Sequence, residues 1–135
     1  MRVFLDANVL FSASNDGSNI ARLAGWLVTE WTAVTSDLAR EEARRNLTIK
    51  RPDRLPAFGR LLERIEVVPS VQFGLPVALE AGDRPLLCAA IRSGCHFFAT
   101  GDRRDFGRLF GETVEGVQVI SLLRLAALLA EATKG

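Results

Sequence analysis

The sequence predicts an α/β fold, a three-layer sandwich with a mainly parallel central sheet flanked by helices. Three observations lead there. Short apolar runs rich in β-formers alternate with stretches at helical spacing, the pattern of a sheet covered on both faces. Ser, Asp or Pro stands at the start of most helical stretches. The chain has 135 residues, 48% hydrophobic and 24% charged, which suits a domain with a real core. No repeat, low-complexity segment or linker divides it, so residues 1–135 are read as a single domain.

The elements follow in order. Arg2–Leu5 is a strand. Ser18 caps a helix with Ile20, Leu23, Ala24, Leu27 and Val28 on one face. Thr32–Thr35 is a second strand, and Ser36 or Asp37 caps a helix through Leu47. "KRPDR" ends that helix, and Asp53 with Pro56 opens another, with Phe58, Leu61, Leu62 and Ile65 on one side. Ile65–Val68 is strand-like and stops at Pro69. "PVALEAG" offers one or two helical turns. Pro85 opens a helix through Ile91 that Gly94 terminates, and Cys95–Thr100 is a strand. "GDRRDFGRLFG" is a short helix or turn. Val117–Ile120 is the last strand, and Ser121 caps a helix to about Glu131.

The net charge of +1 announces no nucleic-acid partner by itself. The basic residues are nonetheless almost all arginine, whose planar fork grips carboxylate or phosphate; only Lys50 and Lys134 are lysines. Two groups stand out: Arg40, Arg44, Arg45, Lys50, Arg51 and Arg54, and then Arg103, Arg104 and Arg108. Solvated helix faces account equally well for the first group. Cys88 and Cys95 make no metal-ligand set with the single His96 and are read as buried thiols. No stretch is apolar enough to span a bilayer, and the start lacks a signal-peptide layout, so a soluble, cytoplasmic protein is expected.

The chemistry lies in the acids. In a parallel sheet, sites form beyond the carboxyl ends of strands, where strand order reverses. Asp6 is the first polar residue after strand one. Asp102 follows "HFFATG" at the end of another strand, although Asp is also a common turn residue. Asp83, ahead of Pro85, reads equally as a helix cap. In "SDLAREEARRNL", about 100° per residue places Leu38, Ala39, Ala43 and Leu47 on an inward arc that includes Glu42. Glu41 falls outside it, placed to pair with Arg45. An inward carboxylate needs a partner or an ion. Asp6, Glu42, Asp83 and Asp102 are therefore candidates for convergence, with Asp105 a fifth. Crowded carboxylates call for a cation, and oxygen-only ligands suit Mg²⁺ or Mn²⁺. Phosphate-ester hydrolysis is the natural use of such a site.

These segments resemble the PIN domain, a family of metal-dependent nucleases. "VFLDANVLFSA" is similar to its first motif, with Asp6 the first acid and Asn8 the polar residue that follows; Ala7 stands where many members carry Thr or Ser. "TSDLAREEARRNL" resembles the second motif and maps its acid to Glu42. "GDRPLLCAAIRSGCHFFATGDRRDF" resembles the third and fourth, carrying Asp83 and Asp102, with Thr100 the hydroxyl residue and Asp105 a less regular acid. The resemblance implies Asp6, Glu42, Asp83 and Asp102 as catalytic metal-holding residues supported by Asn8 and Thr100. It implies Mg²⁺ or Mn²⁺, cleavage of single-stranded RNA and, for many small bacterial members, a toxin with an antitoxin partner and a homodimeric state. Arg103 and Arg104, beside Asp102, are the candidate phosphate contacts, with Arg44 and Arg45 the second choice.

Other readings fit less well. A phosphoryl-accepting aspartate, as in haloacid-dehalogenase-like phosphatases, wants a second Asp where Asn8 stands, and a lysine after Asp83 or Asp102. Receiver domains meet the same lysine problem. "GDRRDFG" lacks the Walker spacing. His96 reads as a packed or hydrogen-bonded histidine. The alternative that remains is a non-catalytic RNA- or protein-binding module on the same fold.

Overall fold

The computed structural model describes residues 1–134. Six strands form one sheet: β1 (Arg2–Leu5), β2 (Thr32–Ser36), β3 (Glu66–Val68), β4 (Phe97–Ala99), β5 (Thr113–Val114) and β6 (Val117–Ile120). Their order is β3-β2-β1-β4-β6-β5, and every pairing is parallel except β5 with β6. Among the described residues seven α-helices accompany them, six between strands and one after β6: α1 (Ala7–Ala13), α2 (Asn19–Glu30), α3 (Asp37–Lys50), α4 (Leu55–Leu62), α5 (Arg84–Arg92), α6 (Arg103–Phe106) and α7 (Leu122–Ala132). The chain moves from β1 to β3 in one direction, then returns past β1 to β4. Right-handed crossovers therefore put α1–α4 on one face and α5 and α6 on the other. The packing agrees: α1 lies against α2, α3 and α4, whereas α5 lies against β2 and β4.

The central strands are buried on both faces, so they read as continuous apolar runs. Val3, Phe4 and Leu5 of β1 and Phe98 and Ala99 of β4 are almost fully buried. The Phe4 and Phe98 rings stack at 5.3 Å, and Phe106 of α6 covers Phe98 at 4.9 Å. The β1–β4 register ends on Leu5 opposite Ala99. One residue further, Asp6 and Thr100 emerge together at the carboxyl edge.

Helix starts follow the sequence closely. Ser18, Ser36 and Ser121 each accept a hydrogen bond from an amide of the first turn. Ser36 is wholly buried, so its loss leaves the Ala39 amide without a replacement from water. Ser36→Ala is expected to cost about 1–2 kcal/mol, read as a lower urea midpoint at unchanged slope.

Several expectations are corrected. A helix, α1, starts immediately after Asp6 and had no counterpart in the sequence reading. Residues 76–82 form bends and a turn rather than helix. The carbonyls of Ala78 and Leu79 are instead held by the Arg108 and Arg84 side chains. Asp53 does not open α4; it lies in a single 3-10 turn (Pro52–Arg54) and pairs with Arg51. β5 was also unforeseen. It joins β6 through Glu115 and Gly116, both at positive φ (48° and 88°), which is the two-residue turn that matches strand twist. Cys88 and Cys95 are buried free thiols. No helix among the described residues is long and apolar enough to cross a membrane.

Candidate metal centre

β1 and β4 are adjacent at the point where strand order reverses, and their ends place Asp6 and Asp102 on either side of one cleft. Its volume is about 380 Å³. Five acids line it: Asp6, Glu42, Asp83, Asp102 and Asp105. All five expected acids are thus brought together.

Asp6 is the most constrained. It caps α1, its Oδ1 accepting from the Ala7 amide at 2.7 Å. Its Oδ2 accepts from the Thr100 hydroxyl at 2.8 Å and the Asn8 amide at 3.1 Å. Thr100 in turn accepts from the Asp102 amide at 3.0 Å. Asn8 Oδ1 accepts from the Gly101 amide at 2.9 Å. A side chain on Gly101 would come within 3.3 Å of that oxygen, so a glycine lets the loop close on Asn8. Thr100 and Asn8 therefore hold Asp6 in orientation and tie the β1 end to the β4 end. Burial nevertheless pushes the Asp6 carboxyl up to about 6; the Thr100 and Ala7 hydrogen bonds oppose the shift, and the Glu42 and Asp102 charges add to it.

Asp83 stands at the start of α5 but makes no side-chain capping bond. The simple cap explanation therefore fails, and its carboxylate lines the cleft. Burial, then the charges of Asp105, Asp6 and Asp102, raise it to about 6. Asp102 does cap α6, accepting from the Asp105 amide at 3.0 Å. Even so, carboxylate oxygens of Asp83, Asp102 and Asp105 lie within 4.8 Å of one another. Asp105, the fifth candidate in the sequence, belongs to this group.

Glu42 reaches the cleft from α3, but it is exposed rather than inward. Leu38, used to define the inward arc, is 48% exposed; the buried stripe is Ala39, Ala43 and Leu47. Glu41 pairs with Arg44 and not Arg45. Arg44 is thereby engaged, and Arg45 is exposed without lining the cleft. Arg103 and Arg104 are exposed on α6 beside Asp102. Arg108 is occupied with backbone carbonyls of Ala78 and Asp105. His96 sits at the opposite end of the sheet, exposed, its Nδ1 accepting from the Arg2 amide at 3.0 Å. It is hydrogen-bonded as expected, but not packed.

Sequence reasoning missed Phe11, Ser12 and Asn46 as cleft residues and did not single out Lys50 from its basic group. A signal was present for two of them: Asn46 and Lys50 follow Glu42 at four-residue steps, on one helical stripe.

The ion pairs among the described residues join Arg2 to Glu66, Arg44 to Glu41, Arg51 to Asp53 and Arg60 to Asp16. None involves a cleft acid. The cleft thus has an oxygen-only donor set and a surplus of negative charge, with pKa values raised where a counter-charge would lower them. That donor set fits a hard divalent cation.

No family model matches the chain, and no curated protein matches it. Solved structures do. One is the crystal structure of VapBC2 from Rickettsia felis bound to a DNA fragment from their promoter, with TM-score 0.66 and 13% identity over 90% of this chain and 98% of that one. Another is a PilT N-terminus domain protein from the hyperthermophilic archaeon Sulfolobus solfataricus, with TM-score 0.58 and 17% identity over 97% and 95%. At these identities the likeness concerns the fold, and the fold of this chain is that of the PIN domain.

Proposed function

We propose that this PIN-fold chain is a Mg²⁺- or Mn²⁺-dependent endoribonuclease that hydrolyses phosphodiester bonds of single-stranded RNA. The observation that carries the reading is five carboxylates converging on one open cleft with no ion pair to any of them. Ionised acids do not crowd in this way unless a cation offsets them. Asp83, Asp102 and Asp105 would hold the cation, Asp6 would face it from the strand end, and Glu42 would approach from the opposite wall. A divalent ion there supplies a Lewis acid for the phosphoryl oxygen and lowers the pKa of water.

The chain's own residues do the positioning. Thr100 and Asn8 fix Asp6 against rotation, which is how surrounding hydrogen bonds keep ligands in place. Water adds to phosphorus, the ester P–O bond breaks, and the proton passes to the departing oxygen or to solvent. Arg103 and Arg104 neutralise backbone phosphates entering beside Asp102. The likeness to the VapBC2 structure supports a further reading as the toxin of a toxin–antitoxin pair, with an antitoxin protein as partner; a homodimer belongs to the same reading.

The test is cleavage of a panel of structured and unstructured RNAs. Cleavage with Mn²⁺, its loss in EDTA and its return on adding Mn²⁺ are expected. A wild-type protein that binds RNA but cuts none with either metal is instead a binding module on this fold.

A further inference from the structure

The cleft has two chemically different walls. One is formed by Asp83, Asp102 and Asp105. The other comes from α1 and α3, which pack together, and carries Phe11, Ser12, Asn46 and Lys50 beside Glu42. Phe11, Ser12 and Asn46 are half-buried, and Lys50 is exposed at the end of α3. Asn46 and Lys50 make no side-chain hydrogen bond or ion pair within the described chain, although arginines nearby are paired with acids. We propose that this wall binds the nucleotide next to the cleaved bond: Lys50 grips its phosphate, Asn46 contacts its base edge, and the Phe11 ring supports the base. This rests on the nuclease reading above and assigns the substrate-binding half of that same cleft.

The spacing favours it. Glu42, Asn46 and Lys50 share one stripe of α3, and eight residues of helix span about 12 Å. Lys50 therefore lies about two turns beyond Glu42 and makes no ion pair with it. A lysine in the last turn of a helix also favours the helix dipole, but any face of that turn would serve for this purpose. Lys50 occupies the face that lines the cleft. Of all the basic residues it is the one lining the cavity with the acids. An amide with both donor and acceptor, an ammonium and an aromatic face are the groups that recognise a single-stranded nucleotide.

The experiment measures binding and cleavage separately. Binding of a short fluorescent single-stranded RNA is followed by anisotropy in EDTA across a salt series. Each phosphate contact contributes about 0.7 to the slope of log affinity against log salt for a single strand. Lys50→Ala is expected to lower the slope by about that amount, weaken binding roughly tenfold, and raise KM far more than it lowers kcat. Lys50→Arg should restore the slope. Asn46→Ala should change which nucleotide is preferred beside the cut. A slope and KM unchanged in Lys50→Ala, with wild type cutting RNA, would overturn the wall assignment and leave the nuclease reading standing. RNA binding with a Lys50-dependent slope but no cleavage would overturn the nuclease reading and leave Lys50 only as a phosphate contact of a binding module. Absence of RNA binding by the wild type would remove both.

Discussion

Asp6→Asn is expected to lower metal-dependent RNA cleavage by at least about a thousandfold, ~4 kcal/mol of transition-state stabilisation, with an unchanged circular dichroism spectrum. Asn has the same shape, and its carbonyl oxygen can still cap the Ala7 amide. The opposite edge of the group then becomes an NH₂ facing the Asn8 amide and Thr100, where wild type presents an acceptor. The Thr100 hydroxyl already accepts from the Asp102 and Asn8 amides, so the new NH₂ gains no acceptor there; that local loss is offset by removing the buried charge, and the secondary structure persists. The charge next to the proposed cation is lost, and an amide would be a poor ligand for it. Isothermal calorimetry with Mn²⁺ should show weakened binding in the same variant. Retention of wild-type cleavage by Asp6→Asn would place the chemistry elsewhere.

The second large effect is on stability without metal. Asp6 and Asp83 are both raised from 3.8 to about 6 in the folded chain. They therefore bind protons more tightly folded than unfolded. Their contribution is most favourable below about pH 4 and is lost as pH rises through about 6. For Asp6, almost fully buried, two units correspond to about 3 kcal/mol; Asp83 is more open and adds less. Asp37, Asp53 and Glu66 are lowered by their partners and act with the opposite sign at lower pH. A difference curve removes that background. Asp6→Asn should gain stability relative to metal-free wild type between pH 5 and 8, by up to about 3 kcal/mol or about 10 °C in Tm. Saturating Mn²⁺ should abolish the gain, because a cation and a proton compete for the same carboxylate. A difference that stays flat between about pH 4 and 6 would show that burial does not strain Asp6.

Much of this was legible in the sequence because it is local. A serine before an apolar stripe specifies a capped helix, and three of the helices start that way. Apolar runs such as "VFL" and "FFA" specify strands buried on both faces. What the sequence hid depends on neighbours distant in the chain. "ANVLFSA" has a local signal in its Asp6 cap, but its Val and Phe have modest helix propensity, and packing on α3 supports the helix. The 76–82 segment has helix-like composition, but contacts from Arg84 and Arg108 settle its path. Leu38 misled the helical wheel because an exposed leucine looks like a core residue until its surroundings are known. Asp83 could not be separated from a cap until its side chain was seen to make no capping bond.

Asp6 and Thr100 touch although 94 positions separate them. Ribosomal synthesis delivers Asp6 94 positions before Thr100, and throughout that interval the chain holds its acids apart. Only when β4 has been made and inserted beside β1 does the cleft exist. A polypeptide interrupted before residue 97 carries Asp6, Glu42 and Asp83 yet has no second strand end to set them against. On the nuclease reading proposed above, that order of assembly would keep the growing chain harmless to the message being translated.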